Sequence, residues 1–325
     1  ADLLERDQQD DNNPKFGQSV RKTFPLADFF VDLECNIKDQ LERLIHLVFY
    51  HPHMSPTREE YGMFMAQAAA LRSADTSRQV GAVIVDEDGE LVATGCNEVP
   101  KPGGGIYWSG DDPDHRDFRG GTDPNALMGR EVLHEVFKNL KAAGWLSDER
   151  AKRPPEGLVE DARSIELFEH ARVGNLIEFG RVVHAEMNAL LHAARQGVRI
   201  RGRALYCTTF PCHGCARHLI GAGIARVVYV EPYPKSLALD LYPNAIEIGA
   251  SGSTKLSFVP FTGVAPRRYL EFFGYGRRKD DHGYATNWDP DKARPRMRPL
   301  GSPWLLPEHE LSVNLLRVLE DRAWI

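Results

Sequence analysis

Two short motifs constrain the fold of this chain more than any other feature of its sequence. The first, HAE, occupies residues 184–186, and the second, PCHGC, occupies residues 211–215. Each stands where a helical pattern begins, and a short apolar run typical of a strand lies between them. Because a histidine and a Cys-x-x-Cys pair can share one metal ion, a fold that brings these two helix starts together is expected.

The donor atoms of these motifs predict a catalytic zinc site. A catalytic zinc ion takes three nitrogen or sulfur ligands from the protein and keeps a fourth position for water. We predict that His184, Cys212 and Cys215 are these ligands. At a helix start both thiolates can face one metal, and the helix N-terminus stabilises their negative charge. Glu186 lies close to the site without ligating the metal and is predicted to transfer protons.

A structural zinc knuckle or a redox pair is the alternative for an isolated Cys-x-x-Cys. A structural site would usually recruit a fourth Cys or His, and His213 should point away from a shared metal in a regular helix. Cys35, Cys96 and Cys207 are interpreted as buried core residues. His-x-Glu combined with Pro-Cys-x-x-Cys is the signature of the zinc nucleobase deaminases, which favours the catalytic interpretation.

Apolar patterns elsewhere predict an α/β sandwich. Helical spacing extends from Asn36 to Tyr50, and a second helix from Thr57 to about Leu71 carries Glu60 at the capping-box position. The segment QVGAVIVDEDGELVATGCNEVP predicts a β-hairpin that turns at Asp88-Gly89. Helices and strands then alternate over residues 185–233, which predicts parallel neighbouring strands.

The same patterns divide the chain into three parts. Residues 1–56 are predicted to be a linker and docking segment, residues 57–262 the zinc domain, and residues 263–325 a C-terminal extension. Within the zinc domain, residues from about 101 to 180 break the alternation and are interpreted as an insertion. The extension ends in a helical pattern from Glu308 to Leu319.

Bulk composition narrows the function classes. The net charge of -6 argues against a broad basic face that grips a long polyanion. Five cysteines in 325 residues do not form a disulfide scaffold and favour a reducing, cytoplasmic environment. No apolar run is long enough to span a bilayer, so no membrane partner is expected.

At these motifs the chain resembles the cytidine and deoxycytidylate deaminase superfamily, and RSADTSRQVGAVIVDEDGELVATGCNEVP makes it most similar to the deoxycytidylate branch. The resemblance covers roughly residues 57–110 and 180–235. It implies a three-layer α/β/α sandwich with a mixed sheet, a zinc cofactor, a homo-oligomer and hydrolytic deamination of a free deoxycytidine nucleotide. In that family the asparagine after the second strand contacts the sugar, so Asn97 inherits this role, with a turn residue as the alternative.

Four segments are also similar to bacterial anti-phage dCTP/dCMP deaminases, namely FGQSVRKTFPLADFFVD, RSADTSRQVGAVI, EPYPKSLA and APRRY. Those proteins carry a P-loop kinase-like domain before the deaminase, whereas G-x-x-x-x-G-K-[ST] is absent here. Either this domain has been removed or this member lacks it, and Ala1 in place of Met favours removal. The resemblance implies conversion of dCTP, dCMP or both to dUTP or dUMP, which would deplete these nucleotides during phage infection.

A phosphorylated substrate also needs cations at its site. Arg78, Lys101 and Lys235 lie in or after loops expected at the strand ends, where phosphate sites form, and are predicted to bind the phosphate. Tyr233 is predicted to stack on the base, with a core tyrosine as the alternative. The glycine-rich start of the insertion is interpreted either as a mobile lid or as an oligomer contact.

Two other functions remain as alternatives. A polynucleotide deaminase acting on tRNA or single-stranded DNA should have a basic groove and salt-sensitive binding, which the net charge disfavours. A regulatory module with a structural zinc would not depend on Glu186. A nucleotide or RNA regulator is a further candidate partner, although basic runs such as the one near the C-terminus are usually solvated faces.

Overall fold

The computed structural model of the protein describes residues 23–165, 178–249 and 254–295. The chain divides into two compact units: the larger contains Ala1–Leu26 and Tyr61–Phe261, and the smaller contains Ala27–Glu60 and Thr262–Ile325. The start of the predicted linker and the predicted helix from Glu308 to Leu319 lie outside the described residues. Within the described residues, no helix is both long and apolar enough to cross a membrane.

The described residues form α-helices and β-strands in the following order along the chain. The helices are α1 Ile37–Val48, α2 Arg58–Ala70, α3 Asp117–Gly120, α4 Pro124–Ala142, α5 Asp148–Ala151, α6 Pro155–Arg163, α7 Ala185–Gln196, α8 His213–Ala222, α9 Ala238–Leu241 and α10 Tyr269–Phe273. The strands are β1 Phe29–Phe30, β2 Gly81–Val85, β3 Leu91–Cys96, β4 Ala204–Thr209, β5 Arg226–Glu231, β6 Ile246–Ile248, β7 Leu256–Pro260 and β8 Gly263–Val264.

The centre of the larger unit is a six-stranded sheet with the order β3-β2-β4-β5-β7-β6. Strand β2 pairs antiparallel with β3 in the predicted hairpin and also with β4, while β4, β5, β7 and β6 pair in parallel. The predictions of a hairpin, of parallel neighbours and of a mixed sheet are therefore confirmed. The sheet is mixed because an antiparallel hairpin occupies one edge of its parallel part.

Helices cover both faces of this sheet. A Cβ atom at Gly81 of β2 would lie 2.0 Å from the carbonyl oxygen of Ala66, and one at Gly95 of β3 would lie 2.3 Å from that of Ala185. Gly95 pairs with Ala82 and not with Gly81, and neighbouring residues of a strand point to opposite faces, so the two glycines face opposite sides. Helices α2 and α7 therefore cover opposite faces, which gives a three-layer α/β/α sandwich.

The main hydrophobic core lies between the sheet and helices α7 and α8. Ile84 of β2, Leu205 of β4, Ala189 of α7 and Leu219 of α8 have no exposed surface in this core. Because both helices bury one face against the same sheet, the positions of their first residues are fixed by packing rather than by the loops that precede them.

A buried carboxylate connects the elements of the smaller unit. The predicted capping box is present, since the Thr57 hydroxyl accepts the Glu60 N–H at 3.1 Å and the Glu60 carboxylate accepts the Thr57 N–H at 2.8 Å. Glu60 is 1% exposed, accepts the Val264 N–H at 3.0 Å and forms an ion pair with Arg43. One side chain thus joins α1, the start of α2 and β8.

The segment predicted as an insertion is largely helical where the structure describes it. Helices α3 to α6 occupy most of residues 117–163, and α4 is the longest of them. Asp123 caps α4 by accepting the Asn125 N–H at 2.9 Å, and Pro124 occupies the first helical position. Sequence reasoning assigned no elements here, although this Asp-Pro start is a recognisable helix signal.

Candidate active site

Helix α7 begins at the first predicted zinc ligand. His184 is the N-cap of α7, and Glu186 lies in the first turn. The Asn188 side chain donates to the backbone carbonyl of Cys96 at 2.9 Å, and the His192 ring contacts the backbone of β3 at 3.0 Å. These two contacts hold the helix against β3 and so fix the direction in which its first turn presents side chains.

Helix α8 begins at the second predicted zinc ligand. Cys212 is its N-cap, and the Cys212 sulfur accepts the Cys215 N–H at 3.4 Å. Just before it, the Phe210 N–H donates to the Glu231 carbonyl at 2.7 Å and so ties the loop to the end of β5. Because β4 and β5 are parallel, the PCHGC loop lies at the carboxyl ends of parallel strands, the edge where α/β sheets bind ligands.

The two helix starts bring one nitrogen and two sulfur atoms together. His184 Nδ1 lies 3.4 Å from Cys212 Sγ and 3.5 Å from Cys215 Sγ, and all three atoms lie within 4.8 Å of one another. Tetrahedral zinc with bonds of about 2.3 Å to sulfur and about 2.0 Å to nitrogen would place these atoms about 3.6 Å apart. The donor set and its spacing therefore fit a zinc ion, and His213 is not part of the cluster.

Hydrogen bonds within the cluster favour a metal-binding thiolate. Bonds from Cys215 and His184 lower the pKa of Cys212 to about 4, so this sulfur is ionised at neutral pH. The bond with Cys212 raises the pKa of His184 to about 9, and the pKa of Cys215 is raised because its thiol donates to Cys212. A zinc site needs a neutral imidazole and two thiolates, so metal binding must release protons from this cluster.

Glu186 is a buried carboxyl beside the cluster. It is 4% exposed, lines the same cavity and interacts with the Cys215 thiol. Burial raises the pKa of its carboxyl, because removal from water disfavours the ionised form. A buried carboxyl beside a metal-binding cluster is suited to general acid–base catalysis.

The cluster opens into a cavity of about 290 Å³ in the larger unit. This volume is near the lower end of the range for small-molecule sites, about 300–1,000 Å³. Its walls combine the loop before β2, the end of β3, the starts of α7 and α8, and described residues of the predicted insertion: Asp75, Thr76, Ser77, Arg78, Val80, Asn97, Asp117, Asp123, Asn125, Gly180, Val182, His184, Ala185, Glu186, Thr209, Phe210, Cys212 and Tyr233. A single small ligand fits such a space.

Three of the predicted substrate-binding residues line this cavity. Asn97 also supports the backbone, since its Oδ1 accepts the Val80 N–H at 2.7 Å and its Nδ2 donates to the Arg78 carbonyl at 2.8 Å. The Arg78 guanidinium lies 5.4 Å from the centre of the Tyr233 ring and 3.6 Å from the Glu231 carboxylate. The turn role of Asn97 is therefore visible, and its sugar contact stays a prediction.

The two predicted phosphate-binding lysines do not line the cavity. Lys101 Nζ instead lies 2.9 Å from the Asp111 carboxylate, and Lys235 is exposed in the turn after β5. A position after a strand fixes the place of a loop but not the direction of each side chain within it. Loop position alone therefore does not predict which side chains line the cavity, and a phosphate contact of either lysine stays a prediction.

Sequence reasoning missed a set of acidic residues at the site. Asp75, Asp117 and Asp123 line the cavity, and Glu98, which is 1% exposed, accepts the Ala74 N–H at 2.9 Å and so holds the loop that carries Asp75. Asp75 and Glu98 lie in a segment that carries the family resemblance, but their side chains were not assigned a role. The placement of Asp117 and Asp123 depends on how the predicted insertion packs, which local sequence patterns do not specify.

The remaining cysteines have different environments. Cys96 and Cys207 are buried as expected, and burial raises the pKa of Cys96 to about 11 and also raises that of Cys207. The same expectation is wrong for Cys35, which is exposed. Its thiol donates to the Asp32 carboxylate at 3.2 Å instead of packing into the core.

The part of the chain that contains this site matches a known protein family. The model of the cytidine and deoxycytidylate deaminase zinc-binding region matches residues 56–231, more than half of the 325-residue chain. The chain belongs to this deaminase family. The matched region contains the cluster of His184, Cys212 and Cys215, and zinc is the cofactor that it binds. The α/β/α sandwich with its mixed sheet is the fold expected from the resemblance.

Two relatives match over shorter stretches of the chain than the family model does. A deoxycytidylate deaminase of Enterobacteria phage T2 is 46% identical over 54 residues, which are 17% of this chain and 29% of the phage protein. A probable deoxycytidylate deaminase of Drosophila melanogaster is 28% identical over 53% of this chain and 59% of its own length. The chain thus spans less than two thirds of either relative.

Among solved structures, the dCMP deaminase of cyanophage S-TIM5 in complex with dCMP and dUMP is similar over 64% of this chain and 99% of its own, with 20% identity and a TM-score of 0.35.

Proposed function

We propose that this deaminase converts dCMP and water to dUMP and ammonia, with His184, Cys212 and Cys215 as zinc ligands and Glu186 as the proton carrier. The observation that carries the proposal is the joint placement of the nitrogen and two sulfur donors with a buried carboxyl in one nucleotide-sized cavity. The choice of dCMP is supported by relatives described as deoxycytidylate deaminases.

Glu186 carries the protons of the reaction. Bound zinc supplies a water with a pKa lowered to about 7, and hence a nucleophile at neutral pH. The Glu186 carboxylate would accept one proton of the attacking water and deliver it to N3 of the pyrimidine as the bond between C4 and oxygen forms. The same carboxyl would then take the remaining proton from the new C4 hydroxyl and deliver it to the exocyclic nitrogen, so that the bond between C4 and nitrogen breaks, ammonia leaves and a C4 carbonyl remains.

Other cavity residues position the nucleotide. Arg78 is 46% exposed at the cavity wall and is proposed to bind the 5′-phosphate, with its weak contact to Glu231 exchanged for the substrate. Tyr233, whose phenol has a pKa raised by burial, is proposed to pack against the base. Asn97 keeps one amide hydrogen beyond its two backbone contacts, and this hydrogen is available to the sugar.

The wider proposal includes dCTP as a substrate, depletion of deoxycytidine nucleotides during phage infection, a homo-oligomeric assembly, and a nucleotide or RNA regulator. These parts are supported by resemblance in sequence. A cytoplasmic location is supported by the five free thiols. Action on a polynucleotide is disfavoured, because carboxylates line the cavity and the net charge of the chain is -6.

A substrate panel tests the proposal. Zinc-loaded protein is incubated with dCMP, dCDP, dCTP, CTP and a cytosine-containing oligonucleotide, and uracil products are separated by chromatography. We expect the zinc-loaded protein to form dUMP from dCMP. Removal of zinc with a chelator should abolish this product, and restoring zinc should return it. Turnover of the oligonucleotide with none of dCMP would refute the proposed substrate class.

A further inference from the structure

The cavity wall supplied by the predicted insertion offers hydrogen-bond acceptors. Asp117 and Asp123 lie there, and Asp75 joins them from the loop before β2. Among the described residues that line the cavity, Arg78 is the only lysine or arginine. The site therefore has a cation for one part of its ligand and carboxylates for another.

Each of the three carboxylates has an Oδ2 atom that bonds to none of the described residues, and Asp123 is the one whose Oδ1 has neither a charged partner nor a second N–H donor among them. Asp117 Oδ1 accepts a charged hydrogen bond from Arg181 at 2.8 Å, and Asp75 Oδ1 accepts two backbone N–H groups, at 2.8 and 3.2 Å. Asp123 Oδ1 accepts only the Asn125 N–H, at 2.9 Å, and Asp123 Oδ2 bonds to none of the described residues. The half-buried Asp123 side chain thus keeps one acceptor oxygen for a ligand in the cavity.

The chemistry of a nucleotide determines what such an oxygen can bind. A carboxylate repels a phosphate and accepts a hydrogen bond from a hydroxyl. A 2′-deoxynucleotide with a 5′-phosphate has one sugar hydroxyl, the 3′-hydroxyl. In a polynucleotide that 3′-oxygen is esterified, so it has no proton to donate and carries a negative charge beside it.

We infer that Asp123 is a specificity-determining residue that accepts a hydrogen bond from the substrate's 3′-hydroxyl and thereby restricts this deaminase to nucleotide monomers. The inference rests on the proposed function, because it assumes a deoxycytidine nucleotide in the cavity. It assigns to the insertion a role in substrate selection that is separate from the chemistry at the zinc ligands.

Asp123→Asn is a well-matched test of this inference. Asparagine caps a helix about as well as aspartate, so α4 should keep its start. Once the amide oxygen caps the helix, an NH₂ group replaces the free oxygen, and NH₂ cannot accept a hydroxyl proton. Asp161→Asn is the control, because Asp161 pairs with Arg150 and Arg153 and does not line the cavity.

The measurement compares kcat/KM for dCMP and for 2′,3′-dideoxycytidine 5′-monophosphate, which lacks the 3′-hydroxyl. A hydrogen bond to a charged group corresponds to a preference of about ten- to hundredfold for dCMP in the unaltered protein. We expect Asp123→Asn to reduce this preference to within about threefold, mainly by lowering kcat/KM for dCMP. Asp161→Asn should leave the preference unchanged. Zinc content and circular dichroism verify that each variant is folded and loaded.

Two results would overturn the inference. Equal kcat/KM for the two nucleotides in the unaltered protein would show that the 3′-hydroxyl is not recognised, while dCMP turnover would leave the proposed function standing. A full preference retained by folded Asp123→Asn would show that another residue recognises the hydroxyl. Absence of dCMP turnover by zinc-loaded, unaltered protein would refute the proposed function and this inference together.

Discussion

Replacing Glu186 by glutamine should remove turnover and leave the metal site intact. Glutamine keeps the volume of the side chain but cannot carry a proton between the nucleophile and the base. Because Glu186 is 4% exposed, a neutral amide should be tolerated at least as well as a carboxyl that burial already disfavours in its ionised form. The variant should therefore fold and bind zinc as the unaltered protein does.

The size of the loss follows from the burial of the carboxyl. General acid-base catalysis contributes about 10²- to 10⁴-fold, which corresponds to about 2.7–5.4 kcal/mol of the barrier. Bulk water has little access to the position of Glu186, so it cannot replace the carboxyl as a proton carrier. We therefore expect a decrease in kcat near the upper end of this range, with little change in KM.

The assay combines chromatography of dUMP with a measurement of bound zinc on the same sample. Glu160→Gln, which changes an exposed glutamate of α6, is the matched control and should behave as the unaltered protein. A zinc-loaded Glu186→Gln variant that keeps more than about a tenth of the activity would show that this carboxyl is not the proton carrier.

Three further predictions concern the metal and the scaffold. Cys212→Ala should lose zinc, measured by metal analysis, and part of its thermal stability, because only two ligands remain. Gly95→Ala should destabilise the fold by about 1–3 kcal/mol and weaken zinc binding, since its Cβ would meet the α7 backbone at 2.3 Å, whereas Gly129→Ala, with open space around it, should stabilise α4 by about 0.5–1 kcal/mol in denaturant titrations. Glu60→Ala should cost about 3–5 kcal/mol in the same titrations, because it removes the ion pair with Arg43 together with the acceptor of the Thr57 and Val264 N–H groups; a loss below about 1 kcal/mol would contradict this reasoning.

The parts of the site that sequence predicts well are those determined by local signals. Helices α7 and α8 begin at the predicted motifs and end at Gly197 and Gly223, both in the left-handed conformation that terminates helices. The capping box at Thr57 and the hairpin around Asp88-Gly89 are likewise local, and both form as predicted. In each case a few neighbouring residues satisfy their own backbone groups, so no distant contact is needed to specify the element.

Residues whose role depends on long-range packing were not predicted. Asp117 and Asp123 come from a segment without strand and helix alternation, and their presence in the cavity depends on how that segment packs. Lys101 was predicted at the cavity from its loop, but Asp111, ten residues further along the chain, determines the direction of its side chain. Periodicity and turn signals contain no information on either relationship.

This division has a consequence for how the two halves of the site respond to change. The zinc-binding atoms lie on helix starts fixed by a close-packed core and by the contact between Gly95 and α7, so substitutions there should change metal content and stability together. The carboxylates of the insertion lie outside that core, and Asp123 is held by one hydrogen bond to its own helix. Substitutions in the insertion should therefore alter the ratio of kcat/KM between nucleotides at constant zinc content, which is a separation that steady-state kinetics with metal analysis can detect.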